Sequence, residues 1–334
     1  MATSPFYAII HSTTDNQSPT TAAELRRWRE AALAQAAKIL TQSPEDWGTE
    51  VDWLLRELAQ IRPSQFKQAP PAQSLTLACS LSQLDEVWQR RLQEHQPLQY
   101  LVGHVPWRDL ELVVGPGVLI PRPETELMID AVAQLAEARS TAGLWADIGT
   151  GSGAIALGLA SRFKQMQIHA VDCSPAALAI AQANVERYAQ VHHLMPRLQL
   201  HLGQWLEPLA PWRGKFQGIV SNPPYIPTEA IAELQAEVRN HEPHLALDGG
   251  EDGLGSIRHL IQAGADFLAP GGVWIVELMA GQAAQVESQL QAHGGYQATG
   301  RICDLSGIER FVWAKTHRQA PDPTSDLTSD PRIH

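Results

Sequence analysis

The chain has 334 residues, long for one hydrophobic core, so two domains are expected. Lys plus Arg total 25 against 36 Asp plus Glu, a formal charge of -11, which argues against broad, charge-driven binding to a nucleic-acid backbone. No apolar run approaches membrane-spanning length, and Cys79, Cys173 and Cys303 have neither zinc-site spacing nor an even count for disulfides. A reducing compartment follows, read as cytoplasmic, with an organelle interior as the alternative.

Residues 1–20 are Ser/Thr-rich and lack an Arg-rich amphipathic pattern or a long apolar segment. They read as a frayed, disordered start, with a transit peptide as the other reading. Thr21 to Leu40 reads as a helix: Thr21 and Glu24 form a capping-box pattern, and Leu25, Trp28, Ala32 and Ile39 make an apolar stripe. A second helix is expected over about 50–60, ended by Pro63, and a third over 81–94. Residues 21–95 are therefore expected to form a small all-α domain. Leu110–Val114 and Val118–Ile120, on either side of Gly115-Pro116-Gly117, suggest a β-hairpin within a linker at 96–126.

From Leu144 onward apolar runs alternate with helical patterns, which predicts a mostly parallel sheet with helices on both faces over 127–315. Two further strands are expected around Leu305-Ser306-Gly307. Residues 316–334 are polar and rich in Pro and Asp, the composition of a disordered tail.

Within the α/β part, the apolar run Leu144–Ile148 leads into Gly149-Thr150-Gly151-Ser152-Gly153 and then a helix. Glycines there permit positive φ and close approach of the backbone to a ligand. The G-x-G-x-G spacing differs from the dinucleotide pattern. Asp172, nineteen positions after Gly153, ends the next expected strand. Its carboxylate suits the two hydroxyls of a ribose, and the alternative is an N-cap for the helix opening at Ser174-Pro175.

Asn222-Pro223-Pro224-Tyr225 follows the expected strand Phe216–Ser221. Two prolines stop the strand and stiffen the chain, which holds one amide, one ring and bare carbonyls at a strand's carboxyl end. The Asn222 side-chain oxygen and the Pro223 carbonyl are two acceptors for an NH2 group on a planar, poorly nucleophilic nitrogen. Tyr225 would pack against the planar group. A Pro-rich turn is the plain alternative.

These residues resemble class I S-adenosylmethionine-dependent methyltransferases, with Asp147 to Gly153 and Asp172 as the cofactor half. The segments 97–103, 118–126, 221–227, 241–243 and 246–254 are similar in order to the HemK-type release-factor glutamine methyltransferases. The resemblance implies a Rossmann-like class I methyltransferase sheet, with 21–95 as a helical substrate-recognition domain. It implies methylation of the glutamine side-chain nitrogen in the Gly-Gly-Gln motif of class I peptide-chain release factors. No direct nucleic-acid or membrane partner and no metal are expected. The cofactor contacts it implies are Gly149, Thr150, Gly151, Ser152, Gly153, Asp172, Trp205 and Asn222. The substrate contacts are Asn222, Pro223, Pro224 and Tyr225.

Trp205 would stack on adenine or else be a core residue. Arg122 and Thr125 would line the pocket, or form an ion pair and a helix cap. Glu277 reads as structural. Gln204 and Gln217 stand where the family commonly has acids. The competing functions are a nucleic-acid adenine-N6 or guanine-N2 methyltransferase with the same site, an NAD-dependent oxidoreductase, and a cofactor-binding module without catalysis.

Overall fold

A computed structural model describes residues 18–39, 44–136, 140–190, 194 and 197–317. The chain divides into two compact units. The first takes the chain up to Pro106 and adds Glu111–Ile120 and Ala232–Pro243; the second takes the remainder.

The first unit is helical. Its three longest helices span Ala22–Ile39, Pro44–Leu58 and Leu81–Gln93. The expected capping box is present: Glu24 donates its N–H to Thr21 Oγ1 at 3.2 Å, and Thr21 donates its own to Glu24 Oε2 at 2.8 Å. Leu25, Val51, Leu54, Leu55, Val87 and Trp88 are fully buried in one core. The second helix begins six residues earlier than expected, because Pro44 suits a first helical turn. Strand β1, Ser18–Thr21, pairs antiparallel with β2, Ser74–Leu77. Residues 18–20 therefore do not belong to a frayed start, and residues 1–17 lie outside the described residues. Arg91, with 3% of its side chain exposed, bonds Glu50 at 2.9 Å and Glu237 at 2.8 Å. That arginine holds the Ala236–His241 helix within this unit.

The hairpin differs from expectation. Its strands are β3, His104–Trp107, and β4, Leu110–Val113. The tight turn between them needs a left-handed residue, and Arg108 supplies it at φ 52°. Val118–Ile120 is not a strand; Val118 and Ile120 are buried, and the Val118 carbonyl accepts the Tyr100 hydroxyl.

The second unit is built on a seven-stranded sheet of order β10-β11-β9-β8-β5-β6-β7. The strands are β5 Leu144–Ile148, β6 Gln167–Asp172, β7 Leu198–Leu202, β8 Phe216–Ser221, β9 Leu268–Glu277, β10 Tyr296–Cys303 and β11 Glu309–Thr316. The strands β7, β6, β5, β8 and β9 run parallel, and β11 pairs antiparallel with both β9 and β10. Helices such as Ala154–Arg162, Pro175–Tyr188 and Gly255–Phe267 cover the sheet, as the alternating pattern predicts. Thr316 is the last residue of β11 and donates to the Ala269 carbonyl at 2.8 Å, so the ordered chain runs past Lys315. Residues 318–334, most of the expected tail, lie outside the described residues.

Strand order reverses at β5. The chain leaves it toward β6 on one side and returns to β8 on the other. The crevice at the carboxyl ends of two such strands is where open α/β sheets bind ligands.

Candidate active site

The sheet brings four remote stretches of sequence into one row. At its carboxyl edge β6 ends in Asp172, β5 runs into the glycine turn, β8 runs into Asn222, and β9 ends in Glu277. The register pairs Val171 with Ile148, Ile148 with Ser221, and Ser221 with Val276. Ser221 Oγ donates to the Ile148 carbonyl at 2.6 Å and ties the two central strand ends together. A Cβ on Gly149 would lie 3.9 Å from the Asn222 carbonyl oxygen, so the glycine turn and the Asn-Pro-Pro-Tyr segment lie side by side.

Gly149, Gly151 and Gly153 all take positive φ, at 72°, 56° and 83°. Side chains rarely adopt that region, which accounts for glycine at every second position. The Gly149 and Thr150 N–H groups both donate to the Val171 carbonyl, at 2.9 and 3.0 Å. Gly151 N–H donates to Asp172 Oδ2 at 2.8 Å, and Ser174 N–H donates to Oδ1 at 2.9 Å. Ser174 itself caps the following helix, accepting the Ala177 N–H at 3.2 Å. Asp172 is thus not the N-cap. Each of its oxygens keeps a lone pair for a further donor. The Ser152 carbonyl accepts from buried Asn184 at 2.9 Å.

Beneath the turn lies Asp147, fully buried. Its Oδ2 accepts the Thr150 hydroxyl at 2.6 Å and the Ala156 N–H at 3.0 Å, and its Oδ1 has no partner among the described residues. Burial pushes its pKa up to about 7, against the lowering effect of those two bonds.

Asn222 donates from Nδ2 to Thr125 Oγ1 at 3.2 Å. An amide oriented this way turns Oδ1 away from Thr125 and leaves it as an acceptor. Pro223 is buried, and Tyr225 is half-buried with its hydroxyl on Glu277 Oε1 at 3.2 Å. Burial pushes Glu277 up to about 7, against the lowering effects of Thr125, of the Tyr225 bond and of Arg310. Burial and that neighbouring carboxyl hold the Tyr225 phenol well above its usual range.

The stretch after the signature holds it in place. Ile226 N–H donates to Leu247 at 3.0 Å, Gly249 N–H to Ile226 at 2.8 Å and Thr228 N–H to Gly250 at 3.0 Å. Gln282 Nε2 donates to the Tyr225 carbonyl at 2.9 Å. Gly253, at φ 74°, approaches so closely that a Cβ there would sit 2.4 Å from that carbonyl oxygen. Gln282 carries no motif in the sequence, and its place follows only from the fold.

The remaining expected residues divide. Trp205 follows β7 with φ 50°, half-buried at the rim of the core and 5.4 Å from the His259 ring. Thr125 is 3% exposed and lies in the short Glu124–Glu126 helical turn; its hydroxyl serves Asn222 rather than capping a helix. The Arg122 carbonyl accepts the Trp107 indole at 3.0 Å, and its charge lies near Tyr225. Gln204 is exposed. Gln217 folds its side chain over Gly143, at the opposite end of β8 from Asn222, so the missing acid there does not touch the row. Within the first unit, Glu57, His104 and Glu111 bring ligand atoms within 4.8 Å of one another. Glu57 there already bonds His104 at 3.1 Å and Arg56 at 2.7 Å, an ion-pair network.

A parallel sheet that reverses at its glycine-turn strand, with an acid closing the next strand, is the architecture of the class I methyltransferases. Residues 124–251 match the family model described as methyltransferase small domain. The release factor glutamine methyltransferase of Thermosynechococcus vestitus is 48% identical over 269 residues, covering 80% of this chain and 90% of that protein. The protein of the same name from Synechocystis sp. is 48% identical over 271 residues, covering 80% and 89%. The chain belongs to the release factor glutamine methyltransferase family. A crystal structure of a release factor-specific protein-(glutamine-N5) methyltransferase from Alicyclobacillus acidocaldarius is 26% identical, covering 61% of this chain and 98% of its own, with a TM-score of 0.36. Among the described residues, no helix is long and apolar enough to cross a membrane.

Proposed function

We propose that this enzyme transfers a methyl group from S-adenosylmethionine to the side-chain nitrogen (N5) of the glutamine in the Gly-Gly-Gln motif of class I release factors. The observation that carries the reading is the Asn222 amide. With Nδ2 held by Thr125, its Oδ1 is left as an acceptor, and the Pro223 carbonyl would be the second. Two fixed acceptors suit one NH2 group on a planar centre. They hold the nitrogen in line for transfer and favour the positive charge that develops on it.

The residues of the row fit the cofactor. S-adenosylmethionine, when bound, supplies a methyl group on a positively charged sulfur, so that the N–C bond forms as the C–S bond breaks. Asp172 would accept from the ribose hydroxyls with the lone pairs that Gly151 and Ser174 leave free. Gly149, Thr150, Gly151, Ser152 and Gly153 would cradle the methionine part. The unmatched Oδ1 of Asp147 gives the turn a buried acceptor, suited to a cationic ligand. Trp205 would pack on the adenine. Pro224 and Tyr225 would hold the glutamine's planar group against the row. The helical unit would recognise the body of the release factor.

Membership in the family and the charge of -11 favour a protein acceptor over a nucleic-acid adenine or guanine. The test is transfer of a radiolabelled methyl group from S-adenosylmethionine to a purified release factor, with DNA and rRNA in parallel. Label on the release factor alone is expected. Label on nucleic acid and none on the protein would overturn the reading.

A further inference from the structure

We propose that Gln282 is a positioning residue for methyl transfer: it holds the Tyr225 carbonyl and so sets where the Asn-Pro-Pro-Tyr segment presents the Pro223 carbonyl and the Tyr225 ring. The proposal rests on the functional reading above, in which those two groups meet the glutamine's planar amide.

Pro223 and Pro224 lock φ and carry no N–H, so the middle of the segment has no backbone donor with which to fix itself. A stiff stretch of this kind is aimed from its ends. At the first end Ser221 Oγ donates to the Ile148 carbonyl at 2.6 Å. At the other, Gln282 Nε2 donates to the Tyr225 carbonyl at 2.9 Å. The next N–H along the chain, that of Ile226, donates to the Leu247 carbonyl at 3.0 Å. Both polar groups of the peptide joining Tyr225 to Ile226 are thereby held, and its plane cannot turn without giving up a bond. All of these residues belong to the second unit.

The Gln282 carboxamide has one orientation that satisfies it. Its Oε1 accepts the Met279 N–H at 3.0 Å, and a backbone N–H only donates. Its Nε2 faces the carbonyls of Tyr225 and, at 3.5 Å, Gly253, which only accept. Turned over, the side chain would set oxygen against oxygen at Tyr225 and nitrogen against nitrogen at Met279. Gln282 is buried, and buried polar groups without partners are costly, so the orientation is held. A Cβ on Gly253 would sit 2.8 Å from Nε2, so a side chain there would wedge the pair apart.

Gln282 lies five positions after Glu277, whose Oε1 accepts the Tyr225 hydroxyl at 3.2 Å. One connection, from the end of β9 to the start of the Ala283–His293 helix, therefore grips Tyr225 at its hydroxyl and at its carbonyl. The ring that would lie against the substrate is held at two points by a single short stretch of chain.

Gln282→Glu is the discriminating variant. Its carboxylate keeps an acceptor for the Met279 N–H, and so keeps the start of the helix, but loses the donor to Tyr225. Protonated, it regains that donor. In steady-state kinetics with a release factor, its kcat divided by that of wild type should be down by about tenfold or more at about pH 9, and should recover at least about fivefold by about pH 6. Division at each pH removes the titration that both proteins share. Gln282→Leu, close in size, should be slow by about tenfold or more throughout, while binding of S-adenosylhomocysteine changes less than about twofold in either variant. A readout without turnover is the fluorine spectrum of protein labelled with fluorotyrosine, in which the Tyr225 signal is the one lost in Tyr225→Phe. Gln282→Leu should shift or broaden that signal. A Gln282→Glu ratio that stays level with pH, or a Tyr225 signal that Gln282→Leu leaves in place, would overturn the proposal. If wild type transferred no methyl group to a release factor, the functional reading would fail, while the fluorine signal would still decide whether Gln282 positions Tyr225.

Discussion

The Asp172 carboxylate accepts the Gly151 backbone N–H at 2.8 Å, so the acid at the end of β6 braces the glycine turn at the end of β5. One side chain thereby shapes the turn and presents acceptors above it. Asp172→Ala is expected to weaken S-adenosylhomocysteine binding by at least about tenfold and to lower stability by about 1–3 kcal/mol, because two backbone donors lose their partner. Asp172→Asn should recover part of both. Calorimetric titration and thermal melting check this; unchanged affinity in Asp172→Ala would refute the ribose assignment.

Asn222→Ala removes one of the two acceptors offered to the substrate nitrogen. Turnover is expected to fall about 100-fold, near 3 kcal/mol of transition-state stabilisation, with little change in cofactor affinity. Steady-state kinetics beside a cofactor titration separate the two. Equal losses in both would mean that Asn222 chiefly holds the cofactor.

Burial raises Asp147 from 3.8 and Glu277 from 4.5, each to about 7. Tyr225 bonds Glu277; Thr125, Tyr225 and Arg310 act to lower its pKa, and Glu124 to raise it. Between their unfolded and folded values, the folded chain keeps protons that the unfolded chain has released. Each group's contribution therefore lowers stability as pH rises through that window. Glu277→Gln removes one of the two contributions. Its melting temperature, plotted against pH from about 4.5 to 7, should fall less, or rise more, than that of wild type. Parallel curves for the two proteins would contradict the burial of an ionisable Glu277.

Arg91 is buried between Glu50 and Glu237 in the first unit. Removing the cation leaves two carboxylates facing each other. Arg91→Ala should cost about 3–5 kcal/mol, and Arg91→Met less, because its side chain refills the space. Urea unfolding followed by circular dichroism measures it. A loss below about 1 kcal/mol would mean that the pairs are solvated.

The sequence carries the α/β alternation, the glycine turn and the capping box, because each depends on neighbours a few residues apart. It misleads at the hairpin. Gly115-Pro116-Gly117 looks like a turn between strands, yet the turn lies at Arg108, which has no glycine to mark it. Strand β1 is missed because Ser18–Thr21 has a proline and no apolar alternation. The bonds from Asn222 to Thr125 and from Tyr225 to Glu277 join residues 97 and 52 positions apart. Such a link is set by which strands end side by side, and no local pattern encodes that. Thr125 reads as a helix cap for the same reason.

The central claim is that the acceptor is a protein glutamine. The most direct test is mass spectrometry of a release factor incubated with the enzyme and S-adenosylmethionine, with the fragment carrying Gly-Gly-Gln sequenced. One added methyl group on that glutamine's side-chain nitrogen is the expected result, absent with Asn222→Ala. An unmodified glutamine, in a reaction where the enzyme methylates DNA or rRNA, would contradict the account.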